Sequence, residues 1–360
     1  MKRREYAFSL IELLIAMAVV MLVLFAAINF FSVSVKQYKV QTKITETNME
    51  GILGLELFRR DLESLGYGLP WNDLVAYTEI AGASAELSAL NDSPNAPRAV
   101  VGIDCASFTV NRSDYLAIKS DRVGMDGAAG KWTTLNSANV KRSWAPVTEN
   151  LQNPDYVVVM SAGGLDATRR SLVTSGTFYT QYSSTSGFTP TEPYAANIVY
   201  GIGSTAPARP FNRADYFIRN ADVPEHCAPN TGVLVKAVVP HDNSGVATNF
   251  LPLLDCVADM QLAYYLDADG DGFVENPVKD ISAAFPAGST AARDMREKLR
   301  EVRVYILAQE GQRDNSFRYP ETSILVGPDN TVGNNFNVAG SRNYRWKVYT
   351  LAVKPANLAQ

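Results

Sequence analysis

Histidine and cysteine are both scarce in this chain. Its 360 residues include two histidines, His226 and His241, and three cysteines. Two histidines leave little material for acid–base catalysis or zinc binding, and three cysteines allow at most one disulfide within the chain. The sequence also has no P-loop, no G-x-S-x-G turn and no H-E-x-x-H segment. We therefore expect a protein that is not an enzyme.

An excess of one charge is absent too. The 33 lysines and arginines nearly balance the 37 aspartates and glutamates, and no basic run occurs beyond the first few residues. This balance lacks the basic footprint of a nucleic-acid-binding protein, so no nucleic-acid partner is expected. The 24 glycines and 18 prolines form no repeat. Ordinary composition and length allow one large domain or two smaller ones.

A long apolar run lies near the N-terminus. No polar side chain occurs from Leu13 to Ile28, and the flanking apolar residues extend the run past the roughly 20 residues that cross a bilayer. A cleaved secretory signal would end in small residues, whereas "NFFSVSVKQYK" follows here. A simple anchor with its basic "MKRR" flank in the cytoplasm fits the length. It gives no role to Glu12, a carboxylate inside the apolar stretch.

The segment "AFSLIELLIAM" closely resembles the processing motif of type IV prepilins and type II secretion pseudopilins. The resemblance implies that a prepilin peptidase removes the leader 1–7 by cutting between Ala7 and Phe8, and that Phe8 is then N-methylated. Glu12 becomes the fifth residue of the mature chain, where the family has glutamate. The family usually has glycine at the position of Ala7, so we expect slower cleavage here.

The resemblance also implies a role for Glu12 in assembly. A lone carboxylate in hydrocarbon is costly unless it is paired. In the family, the glutamate of an incoming subunit neutralises the terminal amine of a neighbour, which here is the amine of Phe8. The alternative is a Glu12 that lies at the membrane interface and reaches the headgroups without a partner.

Helix signals continue after the apolar run, up to the stop signals Gly66, Gly68 and Pro70. We predict one helix from about Phe8 to about Leu65. It comprises a transmembrane or filament-core part at 8–35 and an amphipathic part at 36–66. Gly51 and Gly54 are interpreted as soft points where the helix emerges. The face that packs on the head is predicted to carry Ile52, Leu55, Phe58, Leu62 and Leu65.

The remaining residues, 67–360, are predicted to form a β-rich head. Six segments rich in β-branched and aromatic residues are predicted to be strands, and Ala291–Leu299 is predicted to be a short helix. The fold class is therefore α+β, with an antiparallel sheet laid against the long helix. The serine- and threonine-rich segment 161–193 is expected to form loops or an exposed hairpin, either a variable excursion or a binding surface. The six strands are Asp114–Ser120, Asp155–Met160, Gly232–Pro240, Val257–Leu266, Glu301–Gln309 and Tyr344–Val353.

The segment "LDADGDGFVENPVKD" matches the first half of a calcium-binding loop. Alternate aspartates followed by glycine let a tight turn aim several oxygens at one cation. The pattern then departs, because Val278 stands where an EF-hand has a bidentate glutamate. A polar hairpin turn fits the same residues. The candidate calcium ligands are Asp267, Asp269, Asp271, the carbonyl of Phe273 and Glu275.

Cys227 and Cys256 flank a predicted strand and loop. In an exported domain they would form a disulfide, which is the favoured one of three pairings. Cys105 is then either a buried thiol or the true partner of one of the others.

Length, the aspartate-rich loop, "REKLREVRVYILAQE" and "YRWKVYTLAV" together resemble PilW-like minor pilins of type IV pili. This resemblance implies a subunit that primes filament assembly and lies at or near the pilus tip. Its partners would be other minor pilins, the major pilin, the assembly platform and a large tip adhesin. The chain would span the bacterial inner membrane once, with a periplasmic head, and would be extracellular after assembly. The alternatives are a minor pseudopilin of type II secretion and a membrane-anchored, glycan-binding adhesin.

Overall fold

The computed structural model describes residues 9–72, 76–80, 84–162, 170–173, 176–242, 247 and 249–358. Its first element is α1 (Leu10–Glu63), about 80 Å long at 1.5 Å per residue. The single long helix is confirmed, although it ends two residues before the predicted Leu65. Gly66 and Gly68 follow it with φ values of 74° and 73°, a left-handed conformation that turns the chain away from the helix axis.

A β-rich head follows α1. Its helices are α2 (Ala85–Ser88), α3 (Ile281–Ala284) and α4 (Ala291–Lys298). Its strands are β1 (Val100–Ile103), β2 (Tyr115–Lys119), β3 (Trp132–Asn136), β4 (Tyr156–Ser161), β5 (Thr180–Gln181), β6 (Ala196–Gly203), β7 (Arg213–Arg219), β8 (Gly232–Val238), β9 (Asn249–Leu266), β10 (Leu299–Glu310), β11 (Ser323–Val326), β12 (Asn334–Asn337) and β13 (Arg345–Val353).

The strands form three antiparallel sheets. The main sheet has seven strands in the order β1-β2-β7-β8-β9-β10-β13. A four-stranded sheet has the order β3-β6-β4-β5, and β11 pairs with β12. The curled main sheet lies against the second half of α1, so the predicted α+β architecture is confirmed. Within the segment 161–193, β5 and a 3₁₀ segment at Tyr182–Phe188 are described, while residues 163–169 and 174–175 lie outside the described part.

All six predicted strands occur, but β9 starts eight residues before the predicted Val257. Its first part pairs with β8 and its second part with β10, with a register shift near Cys256. The prediction missed the other seven strands, among them β7. That strand carries Arg213 and Asp215, which are buried and paired with each other at 2.8 Å (Nε to Oδ1). Sequence reasoning takes such charges as a sign of solvent exposure.

The helix packs on the main sheet through four of the five predicted residues: Leu55, Phe58, Leu62 and Leu65 are at most 5% exposed. Phe58 stacks on the ring of Tyr216 with centroids 4.4 Å apart. Ile52 was predicted on this face wrongly, since it is 63% exposed. Gly51 and Gly54 face the sheet there instead.

A polar contact holds the same part of α1 in register. The Lys236 ammonium lies 2.7 Å from the Asp61 carboxylate, which also accepts a hydrogen bond from the Tyr216 hydroxyl. Burial raises the pKa of Asp61 above its ordinary value, although Lys236 and Tyr216 oppose that effect. One carboxylate thus ties the helix to two neighbouring strands, β7 and β8.

Gly54 allows α1 and β9 to make backbone contact. A Cβ placed on Gly54 would lie 1.8 Å from the carbonyl oxygen of Leu253, and one on Gly51 would lie 2.9 Å from the Leu254 side chain. The interpretation of these glycines as the point of emergence is wrong. Packing continues toward the N-terminus, where the Gly311 amide donates to Thr47 Oγ1 at 3.1 Å.

We predict that Gly54→Ala destabilises the protein by about 1–3 kcal/mol, because the methyl group must displace the β9 backbone. The loss should occur even though alanine gains about 1 kcal/mol in helix propensity over glycine. Thermal unfolding of the full chain in detergent measures the effect. Leu53→Ala, at a neighbouring residue that is 68% exposed, is the matched control. Equal melting temperatures for Gly54→Ala and the native protein would show that the helix can shift.

Candidate functional site

The N-terminus of α1 carries the assembly residue predicted from sequence. The Ser9 amide donates to Glu12 Oε2 at 2.9 Å, and the Ile11 amide donates to Ser9 Oγ at 3.3 Å. This is a capping box, in which Glu12 stabilises the first turn of its own helix. The spacing S-x-x-E could have revealed it from sequence. The predicted processing residues Ala7 and Phe8 lie outside the described residues.

The first half of α1 is apolar and has no packing partner in the described structure. Every residue from Leu10 to Val33 is exposed. In the described part of the chain, α1 is the one helix long and apolar enough to cross a membrane. Exposed apolar side chains along such a length need lipid or other helices around them. The helix is therefore consistent with membrane anchoring before assembly.

Residues 2–28 match a family model described as the prokaryotic N-terminal methylation motif. No curated protein and no solved structure matches the chain at a significant level. The match covers the capping box and most of the apolar run, but none of the head. With the long helix and the antiparallel head, it supports a type IV pilin-like or pseudopilin protein. Such a protein has a prepilin peptidase and other pilins as its general partners.

The predicted calcium loop brings together three of its four candidate carboxylate ligands. Carboxylate oxygens of Asp267, Asp269 and Glu275 all lie within 4.8 Å of one another. Asp271 is not part of this group, and its Oδ1 accepts a hydrogen bond from the Phe273 amide at 2.8 Å.

An arginine missed by the sequence prediction contacts this loop. Arg300 Nη2 lies 2.7 Å from Asp267 Oδ2, and this hydrogen bond holds the pKa of Asp267 below its ordinary value. The loop also has its own turn bonds, since the Gly270 amide donates to Asp267 Oδ1 and the Ala268 amide to Glu275. Hard oxygen donors fit calcium, whereas the hydrogen bonds also satisfy the polar hairpin turn.

The disulfide Cys227–Cys256 is confirmed, with its Cα atoms 5.0 Å apart. Cys227 precedes β8, while Cys256 lies at the register shift of β9 with a φ of 55°. Cys105 was expected to be buried if unpaired, which is wrong, because it is a free and exposed thiol. A turn of unfavourable backbone geometry, φ 53°, places it at the surface.

The side chain of His241 has a structural role in the head. Its Nδ1 accepts a hydrogen bond from the Ala208 amide at 3.2 Å, and its Nε2 lies 3.0 Å from Asn212 Oδ1. Burial, reinforced by the nearby Arg209 charge, lowers the pKa of His241 to about 3. The ring is therefore neutral at neutral pH and fixes two loops of the head.

Proposed function

We propose that the protein is a minor pilin of a type IV pilus that primes filament assembly and takes a position at or near the tip. The observation that carries the proposal is the methylation motif at residues 2–28, placed on a helix whose apolar half is exposed along its length. After removal of the leader, that half leaves the lipid and enters a bundle of pilin helices. The head then selects the neighbouring subunits, and no enzymatic step is involved.

The three features that resemble PilW-like minor pilins lie near one another in the head. The aspartate-rich loop follows β9, while the second feature forms the end of α4 and β10, and the third forms β13. Strands β9, β10 and β13 are consecutive neighbours in the main sheet. Their proximity supports treating them as one unit of the head, through which the subunit would contact other minor pilins and a tip adhesin.

Isolation of the full chain from membranes, followed by identification of the proteins that copurify, tests this function. We expect other minor pilins and the major pilin. Deletion of the gene should abolish piliation and twitching. Copurification with type II secretion components and intact piliation would favour the pseudopilin. Normal piliation with loss of glycan binding would favour the adhesin.

Processing of the N-terminus is a separate prediction. Mass spectrometry of the membrane-extracted protein should show a mature chain that starts at Phe8 and carries an N-methyl group. Ala7→Gly should speed the conversion in a pulse–chase experiment, since glycine is the usual residue before the cut. Ala7→Leu is the opposing variant and should block it. Retention of Met1 in the native protein would contradict the proposed function.

We also propose that the loop 267–275 binds calcium weakly, with Asp267, Asp269 and Glu275 as its carboxylate ligands. Their grouping within 4.8 Å supports the proposal. A cation would have to compete with Arg300 for Asp267, which favours low affinity.

Calcium at 100 times its dissociation constant should stabilise the protein by about 2.7 kcal/mol. Thermal unfolding of the full chain with calcium or with chelator measures this difference. Asp269→Asn should remove it. Asp329→Asn alters another exposed acidic turn and should leave it intact. A melting temperature that is insensitive to calcium in the native protein would reduce the loop to a hairpin turn.

A further inference from the structure

A second group of ionisable residues lies deep inside the head, far from the helix N-terminus and the acidic loop in sequence. We call it the Glu79–Asp92–Lys119 cluster. Lys119 is on β2, and the two carboxylates come from the segment before β1. All three side chains are at most 2% exposed. Lys119 Nζ lies 2.5 Å from Asp92 Oδ2 and 2.7 Å from Glu79 Oε2.

Neighbouring groups fix the three side chains in place. The Asp92 amide donates to Glu79 Oε1 at 2.6 Å, and the Leu90 carbonyl accepts from Lys119 Nζ at 3.0 Å. The ring of Phe211 lies 5.6 Å from Nζ, measured to its centroid. An amine and two carboxyl groups are therefore held together in a buried site. Such positioning converts an encounter of two reactants into a step within one molecule.

A buried ion pair explains part of this arrangement. Lys119 and Arg98 together outweigh the effect of burial and hold the pKa of Asp92 below its ordinary value. Charges in a low-dielectric interior are costly, so a neutral product of the same groups is favoured there.

We propose that Lys119 and Asp92 condense to an amide within the chain, with Glu79 as the group that moves the protons. Glu79 accepts a proton from Nζ, and the free amine attacks Cγ of Asp92. Arg98 Nε, 2.6 Å from Asp92 Oδ1, stabilises the negative charge that develops on this oxygen. Glu79 delivers this proton to Oδ2, then takes a second proton from the nitrogen of the tetrahedral intermediate and passes it to the same oxygen, which leaves as water.

The reaction balances without an oxidant or any other reagent. An ammonium and a carboxylate give an amide and one water molecule; the Nζ–Cγ bond forms and the Cγ–Oδ2 bond breaks. One positive and one negative charge disappear together, so the net charge of the buried residues does not change. Arg213 stays paired with Glu79 and Asp215. The product is a covalent link from β2 to the segment before β1, across 27 residues of sequence.

Peptide mapping of the native full chain tests the proposal directly. Trypsin should release peptide 61–98 joined to peptide 113–122, at the sum of their masses less one water, because a modified Lys119 resists cleavage. The linear peptides 61–98 and 113–119 from folded, mature protein, with no joined product, would overturn the proposal and leave an ion cluster only. Lys236, which contacts Asp61 without a second carboxylate beside it, should be cleaved normally.

Two variants of the same buried network separate catalysis from packing. Glu79→Gln should slow the formation of the link by on the order of 100-fold, as expected when an acid–base group is removed. Asp215→Asn removes another buried carboxylate that contacts Arg213, and should leave the link intact. Folding of both variants is checked by the presence of the Cys227–Cys256 disulfide. A link that forms at the native rate in Glu79→Gln would overturn the role of Glu79.

Discussion

A Glu12→Ala subunit is expected to be cleaved and inserted in the membrane at normal levels but to be lost from sheared pili, with incorporation reduced about tenfold or more. In the proposed filament, the Glu12 carboxylate pairs with the terminal amine of a neighbour inside an apolar bundle. An unpaired charge there costs several times the 1.4 kcal/mol that corresponds to a factor of ten. Immunoblots of the pilus and membrane fractions measure the distribution.

The capping box makes this experiment more informative. In the chain described here, Glu12 accepts a hydrogen bond from Ser9 of its own helix. Ser9→Ala weakens the cap yet retains the carboxylate, so it should lower helix stability by about 1 kcal/mol without the loss from pili. Glu56→Ala, on the exposed surface of the same helix, is the second control. Normal incorporation of Glu12→Ala would show that the carboxylate is not needed for assembly.

Replacement of Cys227 and Cys256 by serine is expected to lower the free energy of unfolding by about 3–4 kcal/mol, the chain-entropy value for a closed loop of this size. The two residues are 29 apart in sequence, and they join the loop before β8 to the register shift of β9. For a head of this size the loss corresponds to a decrease in melting temperature on the order of 10 °C. Calorimetry of the full chain in detergent measures it.

Cys105→Ser is the matched control for the disulfide. Its thiol is exposed and free, so its removal should leave the melting temperature nearly unchanged. Reducing agent should lower the melting temperature of Cys105→Ser and of the native protein alike. No decrease in the double variant would mean that the loop before β8 retains its position without the covalent bond.

The periodicity of Leu55, Phe58, Leu62 and Leu65 was sufficient to predict the helix face that meets the sheet. It failed at Ile52, because the pattern records hydrophobicity and not the distance between two backbones. Next to Ile52, α1 contacts β9 through Gly54, where a Cβ atom would clash with the strand backbone. A glycine contributes nothing to an apolar stripe, so the pattern does not reveal this contact. The same limitation hid β7, where buried Arg213 pairs with Asp215 of the same strand and with Glu79, which is distant in sequence.

In the candidate sites, too, sequence spacing predicted some residues and missed those that depend on strand pairing. The spacing of the aspartates placed Asp267 and Asp269 in one turn, and the flanking positions of Cys227 and Cys256 led to the correct disulfide. Arg300 could not be foreseen, since its contact with Asp267 depends on the pairing of β9 with β10. The cluster around Lys119 was equally hidden, because its members meet only after the main sheet has formed.

The head reaches along α1 as far as Lys36 and Gln37, which line a cleft together with Arg313, Asp314 and Arg345 of the head. From Leu10 to Lys36 the helix extends about 39 Å, whereas a bilayer with its headgroups is about 40–45 Å thick. In the proposed membrane-anchored subunit, this end of the head therefore lies at the level of the headgroups. The length of bare helix then leaves the head little freedom to tilt without bringing polar surface into lipid.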